Sequence, residues 1–497
     1  MSGLPENLYA AAGVRELDRC TIEDFGVPGY TLMCRAGAAT FEALDRRWPD
    51  RPLKVICGAG NNAGDGYVIA RLAREAGRQV DVIALLEPER LGGDALTAAQ
   101  DYSGAGGVVR PWSADTVAGS GDGDPPVIVD ALLGTGLDRE VGGRFAEAVA
   151  AINAAPGPVV AVDIPSGMQA DTGRVMGVAV SADLTVTFVG MKAGLLTGRG
   201  PALCGEVLFD DLGAPPAASE GVPLRARRIT SAEIRRCLPP RPEDAHKGLS
   251  GHVLVIGGGP GMPGAARLAG EAALRAGAGL VSVATIPEHV AVIAAARPEL
   301  MCAGVGDAAD LAALFERASV IALGPGLGQS DWARAVANAA LASGLPVVLD
   351  ADGLNLLAAA PCSRPDWVLT PHPGEAARLL DSDTETIQQD RFAAVARLAE
   401  RYGGTAVLKG AGTLVQSGDE TPWLCAAGNP GMAVAGMGDV LTGAIAGVAA
   451  QCNELGPAAR CGVLIHARAG DLAAGTHRRG MLASDLLGPI RQQVNPS

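Results

Sequence analysis

The sequence predicts an α/β protein of two domains, each built on a parallel sheet, and three observations carry that expectation. Short apolar, β-rich runs alternate with helical patterns along the chain, the signature of strands joined by helical crossovers. The alternation breaks at "GAPPAASEGVP" (213–223), a linker composition of Pro, Gly, Ala and Ser. At 497 residues the chain is also longer than one hydrophobic core usually serves. Its 68 glycines and 3 % aromatic content suit compact α/β layers with many tight turns.

In the first half the strands are expected at 53–57, 80–86, 127–133, 158–163, 183–189 and 205–209, each a β-branched apolar run closed by a turn signal. After the linker a second series is expected at 252–258, 280–285, 320–324, 346–350, 367–370 and 405–410. The domain boundary falls between 213 and 228, giving domains of 1–218 and 226–497, and the halves share no internal repeat. A net charge of −14 argues against nucleic acid or an anionic membrane as partner. The N-terminal stretch has no apolar signal core and no run reaches ~18 apolar residues, so no membrane span and a cytoplasmic location are expected. Ten cysteines without a C-x-x-C pair suggest reduced buried thiols rather than a zinc site or disulfide framework.

The first strand runs into "GAGNNAGDG" (58–66). Gly58, Gly60 and Ala63 satisfy the dinucleotide fingerprint G-x-G-x-x-G/A, with Glu87 placed as a ribose-binding acid. The polar residues speak against that reading, since Asp65 would repel the pyrophosphate it should cradle. Two more strands end in polar residues, "VIVDALLGTG" at Asp130 and "VVAVDIPSG" at Asp163 and Ser166. Taken singly, each Asp is a helix cap or turn residue. Together they line the carboxyl edge of a parallel sheet, where ligands bind. Asn, Asp and Ser oxygens without Cys or His suit a hard cation, and the low formal charge suits a monovalent one. "GTGLDRE" (134–140) adds a glycine turn whose N–H groups could hold a phosphate.

"GAGNNAGDG", "DALLGTGL" and "VDIPSG", with "GYTLMCRAG" (29–37), resemble the NAD(P)H-hydrate epimerase domain over roughly residues 10–212. The resemblance implies a Rossmann-like three-layer fold and potassium held by Asn62, Asp130 and Ser166. It implies hydrate contacts at Asn61, Asn62, Ala63, Gly64 and Asp65, at Gly134, Thr135, Gly136, Leu137, Asp138, Arg139 and Glu140, and at Asp163. Ala63 stands where the family has Gly, and Cys34 where it has Glu. The hydrate carries a hydroxyl on C6 beside the ring nitrogen, which can expel it once an acid protonates it. Water can then return on the other face, and Asp163 is the carboxyl expected to move both protons.

In the second half "GNPGMAVAGMGDVLTGAIAGVAA" (428–450) places Gly436, Gly438 and Asp439 just ahead of a long apolar helix. Free N–H groups at a helix start attract anions, and an Asp there can accept a proton from an attacking hydroxyl. The plain alternative is an N-cap Asp after a glycine turn. "VLKGAGTLV" (407–415) supplies Lys409 on a second glycine turn, "VLDADGLN" Asp352 and Asn355, and "TPHPGE" a pocket-lining His372. Gly259, Gly261 and Gly264 repeat the dinucleotide spacing, but no acid closes the next strand, and "GPGLG" (324–328) suits a lid over substrate.

This set, with "HKGLSGHVLVIGG", resembles the ADP/ATP-dependent NAD(P)H-hydrate dehydratase domain of the ribokinase-like superfamily over about residues 228–494. The resemblance implies nucleotide contacts at Lys409, Gly410, Ala411, Gly412, Thr413 and Gly438, and hydrate contacts at Ala265, Gly326, His372 and Asp439. Mg²⁺ is expected to bridge the nucleotide phosphates. Val434 and Met437 replace two hydroxyl residues of the family pattern, which lowers the expected activity, but the backbone donors and Asp439 remain and the site is still expected to be active. The expected whole is a bifunctional enzyme for NADH and NADPH hydrates, self-associating as Ala/Gly-rich α/β domains commonly do. The competing reading is a ribokinase-like small-molecule kinase joined to a non-catalytic binding module.

Overall fold

The protein is described by a computed structural model covering residues 3–113, 116–117 and 124–495. The expected domain limits at residues 1 and 497 lie outside the described residues. The chain divides into two compact units, one ending at Ala226 and the other beginning at Arg227.

The sheet of the first unit is wholly parallel. Its order is Val109–Pro111, Val80–Ala84, Leu53–Cys57, Val127–Ala131, Val159–Val162, Leu184–Phe188, Glu206–Asp210. Period-two alternation sorts its side chains into two cores. Val55, Val129 and Val160 pack with helices Gly29–Arg47, Asn61–Glu75 and Gly93–Gly104, while Ile56, Ile128 and Ala161 pack with helix Gly143–Ala154. The result is a three-layer, doubly wound unit whose strand order reverses beside Leu53–Cys57, at the carboxyl edge where the polar motifs sit. The segment with linker composition is packed down, since Val222 joins Tyr9, Val14 and Leu17 in a small core.

In the second unit the parallel part of the sheet centres on His252–Ile256, flanked by Val320–Leu323 and Leu280–Thr285. It is not parallel throughout. Thr405–Leu408 and Thr413–Ser417 form an antiparallel pair, and Trp423–Cys425 adds a third antiparallel strand. A connection of four residues around Gly410 and Gly412 is too short for a helical crossover, which forces the hairpin. Helix Met437–Cys452 is buried continuously from Val440 to Ala450. Gly443 lets it approach helix Pro263–Arg275, because a Cβ there would stand 2.0 Å from the Ala269 carbonyl oxygen.

Candidate active sites

The glycine loop of the first unit is shorter than the sequence suggests. Gly60, at φ 74°, caps the helix, and Asn61–Asp65 form its first turns rather than a loop. A Cβ at Gly58 would stand 2.0 Å from the Leu132 carbonyl oxygen, so the turn lies against the end of the neighbouring strand. Ala63 faces the core, and Gly64 leaves room for Met33 and Ala95, so neither presents a side chain to the sheet edge.

Asp130 and Ser166 meet directly. The Ser166 hydroxyl donates to Asp130 Oδ1 at 2.6 Å, and its backbone N–H donates to Oδ2 at 2.8 Å. The Leu132 N–H donates to Oδ1 at 3.2 Å, and that of Leu133 to Ser166 Oγ at 2.8 Å. Asp130 is fully buried with neutral donors only, and burial outweighs those bonds to push its carboxyl up to about 6. Asn62 is buried, and its amide nitrogen finds no hydrogen-bond partner among the described residues. Gly134 lies beside it, 3.6 Å separating an ideal Cβ from Asn62 Oδ1. The remainder of that turn leads outward, with Thr135 and Leu137 half-buried and Gly136, Asp138, Arg139 and Glu140 exposed.

Asp163 follows its strand in the left-handed region, at φ 68°, a conformation Asp tolerates better than most residues. Its Oδ1 accepts from the Lys192 ammonium, from Thr187 Oγ1 at 3.2 Å and from the Phe188 N–H at 3.4 Å, which leaves Oδ2 for a ligand. Lys192 is 1 % exposed and also donates to the Phe188 carbonyl at 2.9 Å. Sequence reasoning missed it, though a single charge within "VGMKAGLL" was the available signal. Asp65 faces the same charges, and burial first, then Asp163 and Asp18, push its carboxyl well above the usual range. Cys34, the departure noted above, sits on helix Gly29–Arg47 beside Tyr30.

In the second unit Gly436, at φ 89°, caps helix Met437–Cys452, so Gly438 and Asp439 belong to its first turn rather than to the loop ahead of it. Burial first, then the charges of Asp350 and Asp352, raise the Asp439 carboxyl to about 7 against the pull of Lys409. Lys409 is engaged elsewhere, its ammonium 2.7 Å from Asp350 Oδ1 and 3.7 Å from Glu375 Oε2. Thr442 donates to Asp350 Oδ2 at 2.8 Å. Burial pushes Asp350 up, but Lys409 and Thr442 outweigh it and hold the carboxyl below its ordinary range. Gly438 lies directly above this pair, an ideal Cβ falling 3.2 Å from Asp350 Oδ2 and 3.3 Å from Lys409 Nζ.

Gly326 stands against Ala265, 2.9 Å between an ideal Cβ and the alanine Cβ. The Gly328 N–H donates to Asp352 at 2.8 Å, tying "GPGLG" to the strand end. Ala351, between the two aspartates, holds φ 48°, a strained value for a residue with a Cβ. His372 caps helix Pro373–Leu379 through Nδ1 and is 55 % exposed. Gly410, Ala411 and Gly412 turn over Arg391, a buried guanidinium that donates to the Leu408 and Lys409 carbonyls at 3.1 and 3.2 Å, and Thr413 donates to Gly410. Sequence reasoning missed Asp350, Arg391 and also His466, whose buried Nε2 has no partner among the described residues and whose ring burial pushes down to about 4. Met437 packs in the core and Val434 is exposed.

Two family models match the chain. Residues 29–194 match the YjeF-related protein N-terminus, and residues 253–492 match NAD(P)H-hydrate dehydratase. The chain is 49 % identical over 491 residues to the bifunctional NAD(P)H-hydrate repair enzyme of Coxiella burnetii, covering 98 % of this chain and 99 % of that one. It is 42 % identical to the enzyme of that name from Escherichia coli, covering 99 % and 95 %. Among solved structures, a ribokinase-like superfamily protein from Enterococcus faecalis matches with a TM-score of 0.50 at 30 % identity, covering 54 % of this chain and 94 % of that one.

Proposed function

The chain belongs to the bifunctional NAD(P)H-hydrate repair enzymes, and from that premise we propose how its two sites divide the work. The first unit interconverts the R and S hydrates, and the second dehydrates the S form with ADP or ATP. The observation that carries the assignment of roles is the contrast between Asp163, ion-paired through Oδ1 with Oδ2 open, and Asp439, half-buried, without an ion pair among the described residues and raised to about 7.

In the first unit Asp163 exchanges protons with the C6 hydroxyl and with the water that replaces it. Potassium fits the neighbouring residues. Asp130 is a fully buried carboxylate with no cationic side chain bridging it among the described residues, and Asn62 presents an orphaned amide end that becomes a ligand oxygen on rotation. Bound by Asn62, Asp130 and Ser166, the ion would neutralise that charge and fix the turn at Gly134. Replacing potassium by a large organic cation should slow epimer exchange and leave dehydration chemistry unchanged; equal exchange rates in both salts would contradict a bound ion.

In the second unit Asp439 takes the proton of the C6 hydroxyl as its oxygen attacks the terminal phosphorus, and the nucleotide's leaving oxygen carries away the bonding pair. The N–H groups around Gly438 and the 409–413 turn steady the phosphates, whose charge Mg²⁺ would share. Loss of the resulting phosphate from C6, with a proton from C5, restores the dihydronicotinamide ring. We place the enzyme in the cytoplasm, where reduced cofactors are used, and as a homo-oligomer. The direct test incubates mixed hydrates with Mg²⁺ and ADP or ATP and follows dihydronicotinamide absorbance. Recovery is expected, and none with either nucleotide would overturn the assignment.

A further inference from the structure

A turn that holds phosphates has to present N–H groups outward, and something on its inner side has to keep its carbonyls turned in. The connection between strands Thr405–Leu408 and Thr413–Ser417 carries Gly410 at φ 136° and Gly412 at φ 66°, so its backbone has little stiffness of its own.

Arg391 fills the inner side. It opens helix Arg391–Tyr402, whose start is set by the Asp390 carboxylate accepting the Ala393 N–H at 2.9 Å. The residue is 1 % exposed. Its Nη2 donates to the Leu408 carbonyl at 3.1 Å and the Lys409 carbonyl at 3.2 Å, with the Gly412 carbonyl at 3.5 Å. Its Nη1 donates to Gln388 Oε1 at 2.8 Å. Gly410 lies against the guanidinium, since an ideal Cβ there would stand 3.0 Å from Nη1 and 3.2 Å from Nη2. One buried fork therefore gathers carbonyls from both ends of the turn.

Peptide planarity carries this to the outer side. The C=O and N–H of a trans peptide point in opposite directions, so turning the Lys409 carbonyl onto Arg391 turns the Gly410 N–H away from it. Gly410 is exposed. The preceding peptide is held at both ends, its Leu408 carbonyl on Arg391 and its Lys409 N–H on the Pro371 carbonyl at 2.9 Å. Burial pushes the Arg391 guanidinium down to about 10, which leaves it charged at neutral pH, and charge-assisted bonds fix a carbonyl more firmly than neutral ones.

We infer that Arg391 is a positioning residue of the nucleotide site: without touching the nucleotide, its fork fixes the peptide between Lys409 and Gly410 so that the Gly410 N–H faces the phosphates. The inference rests on the reading of 409–413 as the nucleotide turn. Lysine is no substitute here, because an ammonium cannot repeat the planar fork.

The experiment compares the full chain with Arg391→Lys and Arg391→Gln in dehydration assays and in calorimetric titration with ADP and Mg²⁺. For Arg391→Lys the nucleotide KM should rise about tenfold, the effect of losing one hydrogen bond to a charged group, and the affinity for ADP should fall by the same factor. For Arg391→Gln, which also loses the charge, the rise should be larger. In Arg391→Lys kcat at saturating nucleotide should hold within about threefold, and the KM for hydrate should change little. An unchanged nucleotide KM in both variants overturns the inference. So does a loss of kcat that saturating nucleotide does not restore, or failure of Arg391→Lys to fold, because each is the mark of a purely structural residue. Dehydration by the unaltered chain that did not depend on nucleotide would instead overturn the reading of the turn itself, and the inference with it.

Discussion

In the first unit the buried lysine, Lys192, pairs with the carboxylate assigned to the chemistry, whereas in the second Lys409 pairs with Asp350 and leaves Asp439 beside it without an ion pair among the described residues. Both clusters stand at the carboxyl ends of parallel strands, and both include a non-glycine residue at positive φ, Asp163 at 68° and Ala351 at 48°. Similar sheet edges therefore place lysine and aspartate differently. A carboxylate tied down through one oxygen has a fixed direction in which to pass protons. A half-buried carboxylate whose neighbouring lysine is engaged elsewhere is raised to about 7 and can take a proton from an alcohol as phosphoryl transfer begins.

The comparison breaks first at Asp439. Asp439→Asn should lower nucleotide-dependent dehydration by roughly 10²- to 10⁴-fold while epimer exchange continues. Near-normal dehydration at saturating nucleotide would remove the base from the account. Truncating the two lysines sharpens the contrast in stability. Lys409→Met strands Asp350, whose side chain is 2 % exposed, and should destabilise the second unit by about 3–5 kcal/mol. Lys192→Met strands Asp163, which is 16 % exposed and can recover water, so its loss should be smaller. Denaturant unfolding of each variant checks the order, and equal losses would contradict it. The mildest effect is on pH. Asp439 must be ionised to act, so kcat/KM for dehydration should fall about tenfold per unit below a pH of about 7, because its carboxyl is raised to that value. A flat profile down to pH 5 would place the proton acceptor elsewhere.

Much of this was legible in the sequence, for a physical reason. An apolar strand that closes on Asp130 or Asp163 advertises a buried charge, and a glycine-bounded helix start advertises unpaired N–H groups. The groups that complete those charges were not legible. Lys192 lies 29 residues after Asp163 and meets it only because adjacent parallel strands end together. Asp350 looked like the end of a strand beside the more conspicuous Asp352, and Arg391 supports the 409–413 turn from the start of a helix. Asn61–Asp65 read as loop because Asn and Gly disfavour helix interiors, yet Gly60 starts the helix there. The strand 301–304 and the hairpin after 408 were missed because short edge and turn-linked strands carry little periodic signal.

The claim that two sites act in sequence on one damaged pool is tested most directly by the time course of a mixed-epimer pool with excess nucleotide. The unaltered chain should return nearly all of it to reduced cofactor in one catalysed phase, because Asp163 keeps replenishing the epimer that Asp439 consumes. Asp163→Asn should show a fast phase limited to the S epimer, at unchanged rate, followed by a slow phase set by uncatalysed exchange. Consumption of the whole pool by that variant in a single fast phase would contradict the account.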